Sequence, residues 1–270
     1  SPVKGFPSFA APESGLKQRV RSETFADHYS QARQFFVSQT EIEQQHIVNA
    51  LVFELSKVQT EAIRSRMVSH LLNIDSALAT KVASGLRLND MPAPAVAARP
   101  TIPNLPPSAA LSIVNNGPDR FAGRKVGVLV TDGADAKLLA GLINAMETEG
   151  ALVRFVAPEV GGFVDSEGVL HAAHEKLEGG PSVLFDAIAV LPSEEGVALL
   201  MQLPAARDFV ADAVAHRKFI AYNEPATALL VKAGAEVDGG FALLKTAKDC
   251  PAFIAQCREL RFWSRANAER

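Results

Sequence analysis

Asn223 occupies the position where a strand–turn–helix unit would present a reactive side chain. Residues 219–231 read Phe-Ile-Ala-Tyr-Asn-Glu-Pro-Ala-Thr-Ala-Leu-Leu-Val. The first four are apolar β-formers and predict a short buried strand. Pro225 suits the first turn of a helix, where its missing N–H is not needed, and Gly234 is placed to end that helix in a left-handed cap. In α/β enzymes such an elbow lifts a nucleophile to the carboxyl edge of the sheet. An amide at the tip, followed by Glu224, has no useful nucleophilicity, so no catalytic residue is expected there.

Other chemistry-bearing residues are few. His171 and His174 are three apart and would share one face of a helix as two metal ligands. No third ligand falls in register, and no metal site is expected. Asp132-Gly133-Ala134-Asp135 follows a strand-like run but lacks Gly-x-Gly-x-x-Gly, so a dinucleotide is not indicated; a small anion or nucleotide at a sheet switch point stays open. Cys250 and Cys257, the only cysteines, are seven apart on one face of a predicted helix, where packing is the expected role. Tyr29 and Tyr222 are the only tyrosines, and His28 and His46 fall in predicted helices.

The elements that must position these residues form two halves. Residues 23–90 carry four helical patterns and predict an all-α segment. Phe25, Tyr29, Ala32 and Phe36 mark one helix face; Thr40 and Glu43 form a capping box before Ile47, Leu51 and Leu55. Ile63, Met67, Leu71 and Ile74 mark the third, and Asp75 caps a fourth that carries Leu78, Val82 and Leu86. Phe25, Phe35, Phe36 and Phe53 cannot all face one seam, so this half is expected to need a further partner surface. Residues 1–22 read as an extended arm, and 91–119, with six prolines between Pro92 and Pro107, as a protease-sensitive linker. Residues 120–265 alternate strands and helices, with a hairpin-like excursion over 161–170, and predict a self-sufficient parallel-sheet α/β domain. Residues 266–270 are a tail.

The chain has 270 residues, 48% of them hydrophobic, and formal net charge −3, which fits a globular protein with real cores and leaves no basic footprint for nucleic acid. No apolar run is long enough for a membrane span, and a cytoplasmic location is expected. The chain opens Ser1-Pro2-Val3-Lys4 with no initiator Met, which leaves its true start and any targeting signal open.

Two stretches carry a family resemblance. Val20-Arg-Ser-Glu-Thr-Phe-Ala-Asp-His-Tyr-Ser-Gln-Ala-Arg33 and Ser38-Gln-Thr-Glu-Ile-Glu-Gln-Gln-His-Ile47, followed by Phe53-Glu-Leu-Ser-Lys-Val58, resemble the carboxyl-terminal helical domain of the haem catalases. The α/β half resembles the class I glutamine-amidotransferase-like superfamily, flavodoxin-like in fold and nearest its intracellular-protease and deglycase branch. Large-subunit catalases join these two parts, so both resemblances point to one parent. They imply peroxide dismutation to water and oxygen in that parent, with haem on a proximal tyrosine, in a homo-tetramer. The family's distal histidine, distal asparagine and haem-ligating tyrosine lie upstream of the matched region. No cofactor is therefore expected in this chain, which should be inactive alone and should pair with the remainder of the catalase core. The superfamily's elbow cysteine and following histidine correspond to Asn223 and Glu224. Its acid after the first strand falls near Leu138, and its Gly-Gly after the third strand is Ser193-Glu194. These replacements imply an accessory, catalytically degenerate domain serving stability, assembly or shielding. Two other classes remain: a chaperone-like or ligand-binding module, and a standalone amidotransferase- or deglycase-like enzyme.

Overall fold

The computed structural model describes residues 11–268. The chain divides into two compact units, Ser1–Leu111 and Ser112–Arg270. Of the arm expected over 1–22, residues 1–10 lie outside the described residues; residues 11–22 are exposed and form neither helix nor strand. In the tail, 269 and 270 likewise lie outside.

Among its described residues the first unit holds four α-helices: α1 (Ser30–Val37), α2 (Glu41–Ser56), α3 (Glu61–Leu71) and α4 (Ser76–Gly85). The α2 start is a reciprocal cap, with Thr40 N–H donating to Glu43 Oε2 at 2.8 Å and Glu43 N–H donating to Thr40 Oγ1 at 3.4 Å. Asp75 caps α4 by accepting from Ala77 and Leu78 N–H. Phe36, Val48, Val68, Leu71, Leu78 and Val82 form the core of this unit.

Two expectations are corrected here. Phe25 does not share a helix with Phe36. It sits in a separate single turn, Glu23–Ala26, and the chain breaks at Asp27, whose carboxylate accepts from Tyr29 and Ser30 N–H. His28 therefore lies outside a helix, whereas His46 is within α2. The extended Pro-rich stretch, for its part, is hydrogen-bonded to the helical segment at several points. Ala95 N–H donates to Ser69 O, Asn73 Nδ2 to Ala95 O, Thr101 Oγ1 to Asn73 O, Ile102 N–H to Ser30 Oγ and Ser108 N–H to Ser38 Oγ. Arg33 Nε donates to Pro103 O and Gln39 Nε2 to Leu111 O. Prolines cannot donate from their own nitrogens, so side chains of the helices supply much of the bonding and strap the extended segment down.

The second unit is an α/β domain with a six-stranded parallel sheet. Its elements run β1 (Lys125–Val130), α5 (Ala136–Glu149), β2 (Leu152–Ala157), β3 (Phe163–Val164), β4 (Leu170–His171), β5 (Glu175–Lys176), β6 (Ala187–Leu191), α6 (Glu194–Leu200), α7 (Pro204–Ala215), β7 (Ile220–Tyr222), α8 (Thr227–Lys232), β8 (Phe241–Leu243), α9 (Cys250–Cys257) and α10 (Arg265–Ala268). The sheet order is β5-β2-β1-β6-β7-β8, all pairs parallel, and β3 and β4 form a separate antiparallel hairpin. This is the expected flavodoxin-like arrangement.

Side-chain alternation in the central strands feeds two cores. Val126, Val128 and Val130 pack with Leu138, Leu142, Met146, Phe253 and Cys257 on the α5–α9 side. Leu129, Ile188 and Val190 pack with Leu200, Phe209, Val210 and Leu230 on the other. Strands covered on both faces read as near-continuous apolar runs, which is why β1 and β6 were legible from sequence.

Candidate functional site

The strand order reverses between β1 and β6. In open α/β sheets the crevice at the carboxyl ends of such a pair is where ligands and catalytic groups collect. A cavity of about 430 Å³ lies there, lined among others by Gly133, Asp135, Pro192, Ser193, Asn223 and Lys245.

Asn223 follows β7 and caps the turn Glu224–Ala226 that leads into α8, whose end is followed by Gly234 at φ +70°. Its backbone is extended at φ −101°, ψ 170°, without the strain of a nucleophile elbow. Its side chain is buried, and each of its polar atoms has a partner. Nδ2 donates to Pro192 O at 2.8 Å and Oδ1 accepts from Ala226 N–H at 3.2 Å. The amide thus ties the end of β7 to the loop after β6. Glu224 is exposed and starts the turn.

The other candidate groups are similarly occupied. Asp135 caps α5 by accepting from Leu138 N–H at 2.9 Å, and Asp132 Oδ1 accepts from Val164 N–H at 2.8 Å. Leu138, at the position of the superfamily's acid, is buried in the core. Ser193 Oγ donates to Asp132 O at 2.6 Å and accepts from Gly196 N–H at 2.9 Å, capping the start of α6. Gly196 is required by that packing: a Cβ there would lie 1.8 Å from Thr131 Oγ1. Asp135, Glu194, Glu195 and Glu224 face a single lining cation, Lys245. This surplus of carboxylates opposes a phosphate or nucleotide, against the small-anion option left open by the sequence.

His171 and His174 are not on a helix. His171 ends β4, with Nε2 2.7 Å from Asp165 Oδ2 and its ring stacked on Phe163 at 5.0 Å. That hydrogen bond, with two backbone N–H donors, holds the Asp165 carboxyl below its usual range. His174 Nδ1 accepts from Phe155 N–H at 3.0 Å, and burial lowers its pKa. Each imidazole serves a separate local bond. Cys250 and Cys257 are buried at the two ends of α9; burial raises the Cys250 thiol to about 11 and pushes Cys257 up as well, so both are unreactive packing groups.

Sequence reasoning missed the polar groups at the opposite edge of the sheet. Lys218, only 2% exposed, donates from Nζ to Ser182 O at 2.5 Å and Phe185 O at 2.6 Å, and burial lowers its pKa to about 8. Arg265 forks onto both Asp238 oxygens at 2.6 and 2.8 Å and donates to Lys218 O. Arg258 forks onto Glu149. Periodicity carries no signal for partners this distant in sequence.

The family described as "Catalase-related immune-responsive" matches residues 22–86, and "C-terminal domain found in long catalases" matches 122–267. The chain is 55% identical over 267 residues to Catalase C of Rhizobium meliloti, covering 98% of this chain and 38% of that protein. It is 36% identical over 267 residues to Catalase HPII of Pseudomonas putida and 31% identical over 264 residues to Catalase-B of Dictyostelium discoideum. These matches cover 98% and 97% of this chain but only 37% and 38% of those relatives, so the chain spans well under half their length. The chain belongs to the family of C-terminal domains found in long catalases, with a catalase-related helical segment ahead of that domain.

Proposed function

We propose that the chain is the carboxyl-terminal part of a large-subunit catalase, and that it contributes structure while the rest of the parent performs the chemistry. The parent would dismutate hydrogen peroxide to water and oxygen, with haem held outside these residues, in a homo-tetramer. The α/β unit is a catalytically silent accessory domain serving stability, assembly or shielding. One observation carries this reading. At the one position where the fold presents a nucleophile, the side chain is an amide whose two polar atoms are both spent on Pro192 and Ala226.

The tyrosines support the absence of a haem site in this part. Tyr29 is buried with its hydroxyl on His70 Nδ1 at 2.8 Å, and Tyr222 packs edge-on against Phe241 in the sheet. Neither tyrosine is therefore placed as the haem-ligating residue that the parent would use. The helical unit, for its part, leaves Phe25, Phe35, Phe53 and Ile63 exposed, which fits a surface completed by the catalase core.

The test compares this purified chain with the full-length parent after expression with haem supply. The parent is expected to show a haem absorption band and rapid peroxide turnover, and the 270-residue chain neither. A haem band with turnover in the chain alone would overturn the reading.

A further inference from the structure

The β3–β4 hairpin has two faces of opposite character. Its register pairs Phe163 with His171 and Val164 with Leu170. Successive residues of a strand point to opposite sides, so one pair turns inward and the other outward. The inner pair is packed: Phe163 is buried, stacked on His171 and set edge-on to Phe155 at 5.2 Å. The outer pair is bare, with Val164 38% and Leu170 67% exposed. Val160 and Val169, in the adjoining turns, are 76% and 52% exposed. Single exposed aliphatics are ordinary, but four within eleven residues make the surface of this short excursion unusually apolar, with Val164 and Leu170 paired on its outer face.

This surface is also held rigid. Val164 N–H donates to Asp132 Oδ1 at 2.8 Å, Gly133 N–H to Val164 O at 2.7 Å and Ser166 N–H to Ala134 O at 2.9 Å, which fastens the hairpin to the loop after β1. The Asp165–His171 bond closes it from within. A surface already fixed loses little conformational entropy when covered. Exposed acids dominate the neighbouring segments, Asp132, Asp135, Glu159 and Glu167 against the single exposed cation Lys137.

We infer that the outer face of this hairpin docks the accessory domain onto the part of the parent catalase that lies outside this chain, on an apolar patch rimmed by Lys and Arg. This rests on the reading above that the chain is part of a longer catalase. Size and charge choose the occupant. A stable interface between free proteins uses roughly 20–30 residues a side, far more than this face supplies. A second copy would also bring acidic rim against acidic rim. A partner in the same polypeptide escapes the size limit, because covalent linkage raises its effective concentration. The relatives have that extra polypeptide, since this chain spans only 38% of Catalase C.

The test is X-ray hydroxyl-radical footprinting of Leu170 and Val169 in the full-length protein and in the 270-residue chain. Modification of both is expected in the chain alone and is largely lost in the full-length protein. Equal modification in the two overturns the proposal. Protection that appears in the chain alone as its concentration rises also overturns it, in favour of a second copy. A Leu170→Asp variant of the full-length protein should regain the modification at Val169, with peroxide turnover unchanged. Continued protection at Val169 in that variant counts against docking through this face. Absence of turnover in the unmodified full-length protein would instead sink the catalase reading, while the footprint still reports on docking.

Discussion

Phenylalanine behaves differently in the two units. In the helical unit, Phe25, Phe35 and Phe53 are exposed and only Phe36 is buried among the described residues. In the α/β unit Phe121, Phe155, Phe163, Phe185, Phe209, Phe219, Phe241 and Phe253 are all buried, and Phe262 packs against the core. One residue type is used as filling in one unit and left as surface in the other. The sheet offers two faces, and the helices on both sides close over them. Four short helices and a proline strap enclose one modest core and have no second layer to cover the remaining aromatic rings. Burying such a ring is worth roughly 1.5–3 kcal/mol, so three left bare approach the whole stability of a small domain. We propose that the α/β unit can stand alone and that the helical unit is completed by another surface.

The sharpest contrast is between truncations in the two units. Phe209→Ala should cost about 3–5 kcal/mol, because its ring is fully enclosed in the core on the α7 side. Denaturant unfolding followed by the fluorescence of Trp263, the only tryptophan, reads this loss in the α/β unit. A loss under about 1 kcal/mol would mean that this core is loosely packed.

The next effect is a pH dependence. The folded Lys218 titrates at about 8 against 10.5 in the unfolded chain, so between those values the unfolded state binds more protons. Stability from this group therefore rises with pH between about 8 and 10.5, by up to about 3 kcal/mol, and is lowest below 8. Cys250 runs the other way: its folded pKa of about 11 exceeds 9.0, so its contribution is lost as pH rises from 9 to 11. Lys218→Met removes only the first slope. The difference between the two proteins' stability curves should climb from pH 8 and level off near 10.5; a flat difference would show that the ammonium carries no burial penalty.

A smaller loss is expected at the elbow. Asn223→Ala strips the cap from Ala226 and leaves Pro192 O without its donor, at about 1–2 kcal/mol. Peroxide turnover of the full-length parent should not change. A large fall in turnover with the fold intact would give Asn223 a chemical role.

The smallest effect on stability falls on the helical unit. Phe53→Ser should change it by no more than about 0.5 kcal/mol, since the ring is solvent-facing and touched by Lys57 Nζ at 4.0 Å from its centroid. Self-association by sedimentation should decrease. A loss of several kcal/mol would mean that the ring already has a buried place.

What was legible in the sequence follows from range. The buried strands β1 and β6, the Thr40–Glu43 box and the Asp75 cap are written in neighbouring residues, and each stands in the structure as read. The parallel-sheet class followed from their order. The bonds that hold 91–108 could not be read from its composition, which shows only prolines: their partners are the acceptors Ser30 and Ser38 and the donors Arg33 and Asn73, in and beside the helices. The single helix through Phe25 and Phe36 failed because periodicity does not register the Asp27 turn that interrupts it. His171 and His174 had helical spacing but lie in a hairpin and a loop. At the candidate site the amide at 223 could be read, but its bond to Pro192, 31 residues away, could not.

Separate expression of residues 1–111 and 112–270, each followed by thermal unfolding and sedimentation, tests the contrast between the units most directly. The 112–270 piece should be monomeric and melt in one cooperative transition. The 1–111 piece should self-associate or melt without a cooperative transition, and should gain one only when the missing catalase core is supplied. A monomeric 1–111 piece with a sharp transition of its own, or a 112–270 piece without one, would contradict it.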